Sequence, residues 1–427
     1  MLPDLGKALQ YLLILLNLVV LSGCAGFGKG VAEAVLEQSD AEDARICEVR
    51  GKAFTGIEHA LDSSEGETKV LMVHGVGDHI PGYATEFLEK LGKELGLTVQ
   101  AKKRKNIALT DPINTSKNLG NLRVSRLLNK QRTKELLFYE LTWSEITKAE
   151  KALLAFDNSG EASYRRTEIN DLMKQFANDT GPDPIIYLGK SRKDILTAFA
   201  QSFCWMTRGD WSGLPDEGQH ACSSAVETSP EQIIFDNYVL VSHSLGSRIV
   251  IDGMEFIASW LKEYTGNLKQ ERSKKQLVTD ALREQHIPVY MLSNQLPMLQ
   301  LGRELPKYVG QKKEFCEPDG KYYSRRMLSK TSIIAFSDPN DLLSYSIPPG
   351  FEDKYLDSSL CIDVTNIVIN VASIVDVFGL GKVANPLDAH IGYDSDNRVV
   401  ALIAKGIGNH MSAPLIKKRC KWTELVD

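Results

Sequence analysis

The segment Tyr238-Val239-Leu240-Val241-Ser242-His243-Ser244-Leu245-Gly246 constrains the fold more tightly than any other part of the chain. Four consecutive apolar residues read as a strand buried on both faces, because a half-exposed strand would alternate apolar with polar side chains. Beyond the turn, Ile249, Val250, Met254, Phe256 and Ile257 predict a helix. Only Ser242 to Gly246 joins the two, with the small residues Ser242 and Gly246 each two positions from Ser244.

The same grammar recurs along the chain. Val70-Leu71-Met72-Val73 is a second continuous apolar run, stopped by His74-Gly75-Val76-Gly77. A helix is predicted from Tyr83 to Leu95, with Phe87, Leu88, Leu91 and Leu95 on one face. Further strands are predicted at Leu136 to Leu141, Val289 to Leu292, Ser332 to Phe336 and Asn366 to Val371, with a helix from Asn397 to Ala404. Strands alternating with helices predict an α/β fold: a mainly parallel twisted sheet covered by helices on both faces. Residues 145–230 read as a helical insertion. Within it, Asp194 to Met206 carries an Ile195, Leu196, Phe199, Phe203 stripe that fits a core helix first and a lid second. In parallel sheets ligands gather at the carboxyl ends of the strands, where the polar motifs of this chain fall.

Those motifs carry a recognisable chemistry. A serine hydroxyl is a poor nucleophile at neutral pH and needs a base, an acid to orient the base, and donors for the developing oxyanion. Ser242-His243-Ser244-Leu245-Gly246 resembles the G-x-S-x-G nucleophile elbow of α/β-hydrolases, with Ser242 in place of the first glycine. His74-Gly75-Val76-Gly77 resembles the His-Gly loop of the same family. The resemblance implies an oxyanion hole from the N–H groups of Gly75 or Val76 and of Leu245. The acid is expected after a later strand, and Asp341-Leu342-Leu343 resembles the acid loop of lipases; Asp338 is the alternative and the expected cap of that turn. The base comes last in the family's order. His390, with Tyr393 shortly after it, is the candidate, and His410 is its competitor. His243 is expected to pack against the sheet or bond backbone, and His79 is a candidate to line the pocket.

Residues 68–411 are therefore similar to a lipase- or esterase-like α/β-hydrolase. The resemblance implies hydrolysis of acyl or lipid esters through Ser244, His390 and Asp341, with an acyl-enzyme intermediate and no cofactor or metal. The alternative is a non-catalytic envelope lipoprotein using the same fold to bind a partner.

The N-terminus bears on location. Tyr11 to Leu21 is an apolar run too short for a confident membrane-spanning helix, and it ends in Leu21-Ser22-Gly23-Cys24, which resembles a bacterial lipobox. This implies a signal peptide over 1–23, diacylation of Cys24, a tether and lead-in segment over 24–66, and a hydrolase domain over 67–427. The implied destination is the bacterial envelope, with Ala25 favouring the outer membrane and membrane contact made through the lipidated Cys24. Six further cysteines, Cys47, Cys204, Cys222, Cys316, Cys361 and Cys420, permit a disulfide framework there. Cys204 with Cys222 and Cys316 with Cys361 are nearest in sequence, but spacing alone selects no connectivity. A zinc site is disfavoured, since no Cys-x-x-Cys pair is present. A net charge of -5 offers no basic footprint for nucleic acid, and Lys102-Lys103-Arg104-Lys105 reads as a solvated loop, with contact to anionic headgroups as the alternative.

Overall fold

The computed structural model describes residues 45–63, 66–100, 104–155, 167–222, 229–263, 269–376, 382–408 and 412–424. Cys24, the expected leader and most of the tether lie outside these, as does His410. Among the described residues no helix is long and apolar enough to cross a membrane.

A 12-stranded sheet runs through the molecule. Its strands in chain order are β1 (Cys47–Arg50), β2 (Thr68–Val73), β3 (Thr98–Val99), β4 (Lys105–Thr110), β5 (Asn118–Leu128), β6 (Glu135–Thr142), β7 (Glu217–His220), β8 (Asn237–His243), β9 (His286–Leu292), β10 (Lys330–Ser337), β11 (Ile362–Ile369) and β12 (Lys421–Thr423). The spatial order is β12-β1-β11-β10-β9-β8-β2-β6-β5-β4-β7, with β3 paired to β5. From β11 to β6 every neighbouring pair is parallel; antiparallel pairs appear only toward the two edges. The protein is thus mixed α/β with a mainly parallel central sheet.

Buried side chains alternate across that sheet into two cores. Leu71, Val73 and Leu240 face one side, where helices α5 (Arg192–Thr207) and α6 (Gly246–Glu263) pack; Val70, Met72, Val239 and Val241 face the other, with α1 (Thr85–Glu94) and α8 (Asn397–Lys405). Both faces being covered explains why β2 and β8 read as unbroken apolar runs. The exception in β2 is Lys69, fully buried, whose ammonium is held by Asp236 Oδ2 at 2.6 Å and the Gly209 carbonyl at 2.7 Å.

Several boundaries differ from expectation. Cys47–Arg50 lies inside the stretch read as tether and lead-in, yet it pairs with both β11 and β12, so the folded body already includes it. Cys47 and Val49 point inward in this short strand. The insertion supplies α2 (Glu145–Ala155), α3 (Glu168–Thr180), α4 (Pro182–Leu188) and α5, then returns to the sheet as β7. The Ile195, Leu196, Phe199, Phe203 stripe is core: all four are buried, and Phe199 lies so close to Gly253 of α6 that a side chain there would collide with its ring. The basic run is not a solvated loop at its end. Lys105 opens β4 with its side chain turned inward, hydrogen-bonded to the Leu214 carbonyl and 3.2 Å from Asp216 Oδ1.

Three disulfides form, Cys47–Cys420, Cys204–Cys222 and Cys316–Cys361. The last two are the sequence-near pairings; the first clamps β1 against the segment that leads into β12.

Candidate active site

The reversal after β8 is built from the residues that demanded it. Ser244 adopts φ 54°, a left-handed conformation costly for any residue but glycine. It is held there by its own N–H, which donates to the Leu292 carbonyl at 2.9 Å. Gly246 passes against the carbonyls of Val73 and His74, leaving no room for a Cβ. Ser242 is fully buried, with its hydroxyl 3.5 Å from the Tyr290 carbonyl. A serine therefore fits at this position of the turn.

A turn after β10 and a short helix complete the arrangement. His390 Nε2 lies 3.1 Å from Ser244 Oγ, and His390 Nδ1 lies 2.9 Å from Asp341 Oδ1. His390 sits in the short helix α7 (Pro386–Ile391) rather than in an open loop, capped at its start by Asn385. The candidate base, acid and nucleophile thus form one continuous hydrogen-bonded chain. Asp338 does not join it: its carboxylate accepts from Asn340, Asn370, Val371 and Ala372, so it caps the turn and ties it to the end of β11.

Burial raises the Asp341 carboxyl, but hydrogen bonds from His390, Ser293 and the Leu343 N–H outweigh it and hold the group below its ordinary value. His243 Nε2 donates to the His390 carbonyl at 2.8 Å, bonding backbone as expected. Burial, then the neighbouring His390, pushes the His243 pKa down to about 3, so it serves as a neutral brace.

The loop after β2 lies over Ser244. A Cβ on Gly75 would come 2.6 Å from Ser244 Cβ, so only glycine permits this approach. The N–H groups of Val76 and Leu245 donate to no other group among the described residues. His74 fixes the loop from below. Its Nδ1 donates to the Gly75 carbonyl at 2.8 Å and its Nε2 accepts from Trp143 N at 3.1 Å, a neutral state that its burial enforces. His79 bonds the Val76 carbonyl and sets its ring, tilted, against that of His74, bracing the loop from within. The insertion reaches in as well, since Asp183 of α4 accepts the Gly77 N–H at 2.7 Å and pairs with Lys151.

Sequence reasoning missed one member. Ser293 follows β9, the strand beside β8, and Leu292 pairs with His243, so Ser293 stands next to Ser244 across the sheet. It shares the left-handed conformation, φ 51°. The available signal was its place, a small polar residue at the carboxyl end of the neighbouring parallel strand.

Among the described residues no group of three His, Cys, Asp or Glu side chains is placed to hold a metal ion. A cleft of about 480 Å³ lined by Glu67, Asp210 and Asp236 opens at the other end of the sheet, near the starts of β2 and β8, and holds none of these residues. Comparison of the chain with protein-family models, with curated proteins and with solved structures finds no match.

Proposed function

We propose that the chain is a serine hydrolase of α/β-hydrolase type that cleaves carboxylic esters, with Ser244 as nucleophile, His390 as general base and acid, and Asp341 as the group that orients His390. The single observation that carries this reading is the unbroken run from Ser244 Oγ through the His390 imidazole to the Asp341 carboxylate. As Ser244 attacks the ester carbonyl, His390 Nε2 takes its proton, and Asp341 holds Nδ1–H and the resulting positive charge. The tetrahedral oxyanion falls to the N–H groups of Val76 and Leu245, with Gly75 giving the close approach. His390 then protonates the leaving alkoxide, and water attacks the acyl-enzyme through the same base.

Acyl or lipid esters are the substrate class that the surroundings favour. Leu342 and Leu343 beside Asp341, and Ile391 beside His390, are 71%, 41% and 51% exposed, an apolar fringe next to the triad. Three disulfides agree with an oxidising compartment, and a lipid anchor at Cys24 would hold the enzyme at the bacterial envelope, with its substrate at the membrane. The test is hydrolysis of a series of nitrophenyl esters of increasing acyl length by the full chain. Turnover that rises with chain length and falls at least ~10³-fold in Ser244→Ala supports the reading; turnover unaffected by that substitution refutes it.

A further inference from the structure

A second concentration of charge lies on α6, just beyond the nucleophile. Asp252 is buried and collects three guanidinium groups: Arg248 at 2.7 Å, Arg192 at 2.9 Å and Arg303 at 2.6 Å. The Tyr187 hydroxyl donates to the same carboxylate at 2.7 Å. The three arginines come from α6, α5 and the loop after the short helix Leu296–Leu299. Three guanidinium groups thus share one carboxylate, and Arg248 also donates to Gln300 Oε1 at 2.9 Å. Glu255, the next acid along α6, has its pKa pushed up to about 7 by burial and the nearby Asp252, so the two acids together offset less than two of the three positive charges. The Nε–H of each arginine is buried and finds no acceptor among the described residues. Leaving charged donors unsatisfied in the interior is costly unless something else satisfies them.

The cluster is coupled to the triad in two ways. Along α6, which starts at Gly246 just after Ser244, Arg248 and Asp252 stand about 3 and about 9 Å of helical rise beyond that start. Along α4, Asp183 holds Gly77 of the loop over Ser244, and Tyr187, one turn later, holds Asp252. Solvent reaches the cluster at Arg192, whose side chain is 38% exposed, and less at Arg303, 11%, while Arg248 is buried at 2%.

We propose that Arg192, Arg248 and Arg303 form a recognition site for a phosphate-type oxyanion. Resting on the hydrolase reading, the site selects phosphorylated esters for Ser244. Planar guanidinium groups match phosphate oxygens in pairs, which a lone ammonium does not. The phosphate is either part of the ester being cut or a free ion.

The experiment has two arms, both on the full chain. In the first, inorganic phosphate is titrated into wild type, Ser244→Ala, Arg192→Gln and Arg303→Gln by calorimetry. In the second, kcat/KM is compared for two glycerol esters with the same acyl chain, one bearing a phosphate monoester. Saturable phosphate binding is expected in wild type and in Ser244→Ala, weakened about tenfold in each arginine variant. A tenfold drop in the ratio of phosphorylated to neutral turnover in those variants assigns the site to the substrate's own phosphate; binding with an unchanged ratio assigns it to the free ion. Absence of saturable binding to folded wild type overturns the proposal, and that titration depends on no substitution. Because Ser244→Ala is included, loss of the hydrolase reading leaves the phosphate result intact, and the reverse holds too. Circular dichroism checks the folding of each variant, and Arg192, the most exposed of the three, carries the test if Arg303→Gln does not fold.

Discussion

Ser293 Oγ donates to Asp341 Oδ2 at 2.7 Å and lies 3.0 Å from His390 Nδ1, so one hydroxyl bridges the acid and the base of the candidate triad. Asp341 Oδ1 faces His390 and also accepts the Leu343 N–H at 2.9 Å, and Oδ2 is taken by Ser293, with the Tyr393 hydroxyl 3.3 Å away. The carboxylate is fixed from both sides. Ser293 touches no reacting atom in the proposed mechanism; it is a positioning residue.

Removing that hydroxyl therefore has a defined signature. A hydrogen bond to a charged group contributes about 1.5–3 kcal/mol, part of which Tyr393 and Leu343 retain, so Ser293→Ala is expected to lower kcat about tenfold with KM little changed. The acid side should shift too. Asp341 is held below its ordinary pKa partly by Ser293, and a depressed carboxyl stabilises the fold above its unfolded value and loses that contribution as pH falls through the folded one. Without Ser293 the folded value rises, so that contribution shrinks and is exhausted at a higher pH, and the acid limb of kcat, which needs ionised Asp341, moves up with it. A pH profile of kcat unchanged in shape would assign Ser293 a packing role only.

Gly75→Ala tests the close approach of the loop to the nucleophile. The added methyl meets Ser244 Cβ at 2.6 Å and the His243 carbonyl at 2.9 Å, so the loop or the turn at Ser244 must shift. Ester turnover is expected to fall on the order of 100-fold, as when an oxyanion donor is displaced. Turnover within a factor of two of wild type would place the oxyanion elsewhere.

How far the sequence disclosed all this depends on the distance over which each feature is encoded. The strand-turn-helix at Ser244 was legible because buried parallel strands and a tight reversal write themselves into adjacent residues. Asp341 and His390 were legible through the short segments around them. Ser293 was not, because its role comes from a strand-to-strand register, His243 opposite Leu292, that no local pattern carries. Lys105 misled for a related reason: its charge is local, but the groups that satisfy it, Leu214 and Asp216, lie beyond residue 200. The arginine cluster, drawn from three separate elements, was equally invisible.

Cys47–Cys420 spans 373 residues and ties the first described strand to the last. Cross-linking so long a loop limits the unfolded chain strongly, contributing roughly 2–5 kcal/mol. Cys47→Ser with Cys420→Ser is expected to lower the unfolding midpoint in urea accordingly while leaving the triad assembled. A double variant as stable as wild type would show that β1 and β12 are held by their sheet pairing alone.

The most direct measurement is mass spectrometry of the full chain after exposure to a fluorophosphonate, which reacts with a serine only when a base activates it. The account predicts one adduct, mapped to Ser244, absent in Ser244→Ala and strongly reduced in His390→Ala. A folded wild-type protein that stays unlabelled, or one whose label persists in Ser244→Ala, would contradict it and turn attention to a partner-binding role for the same fold.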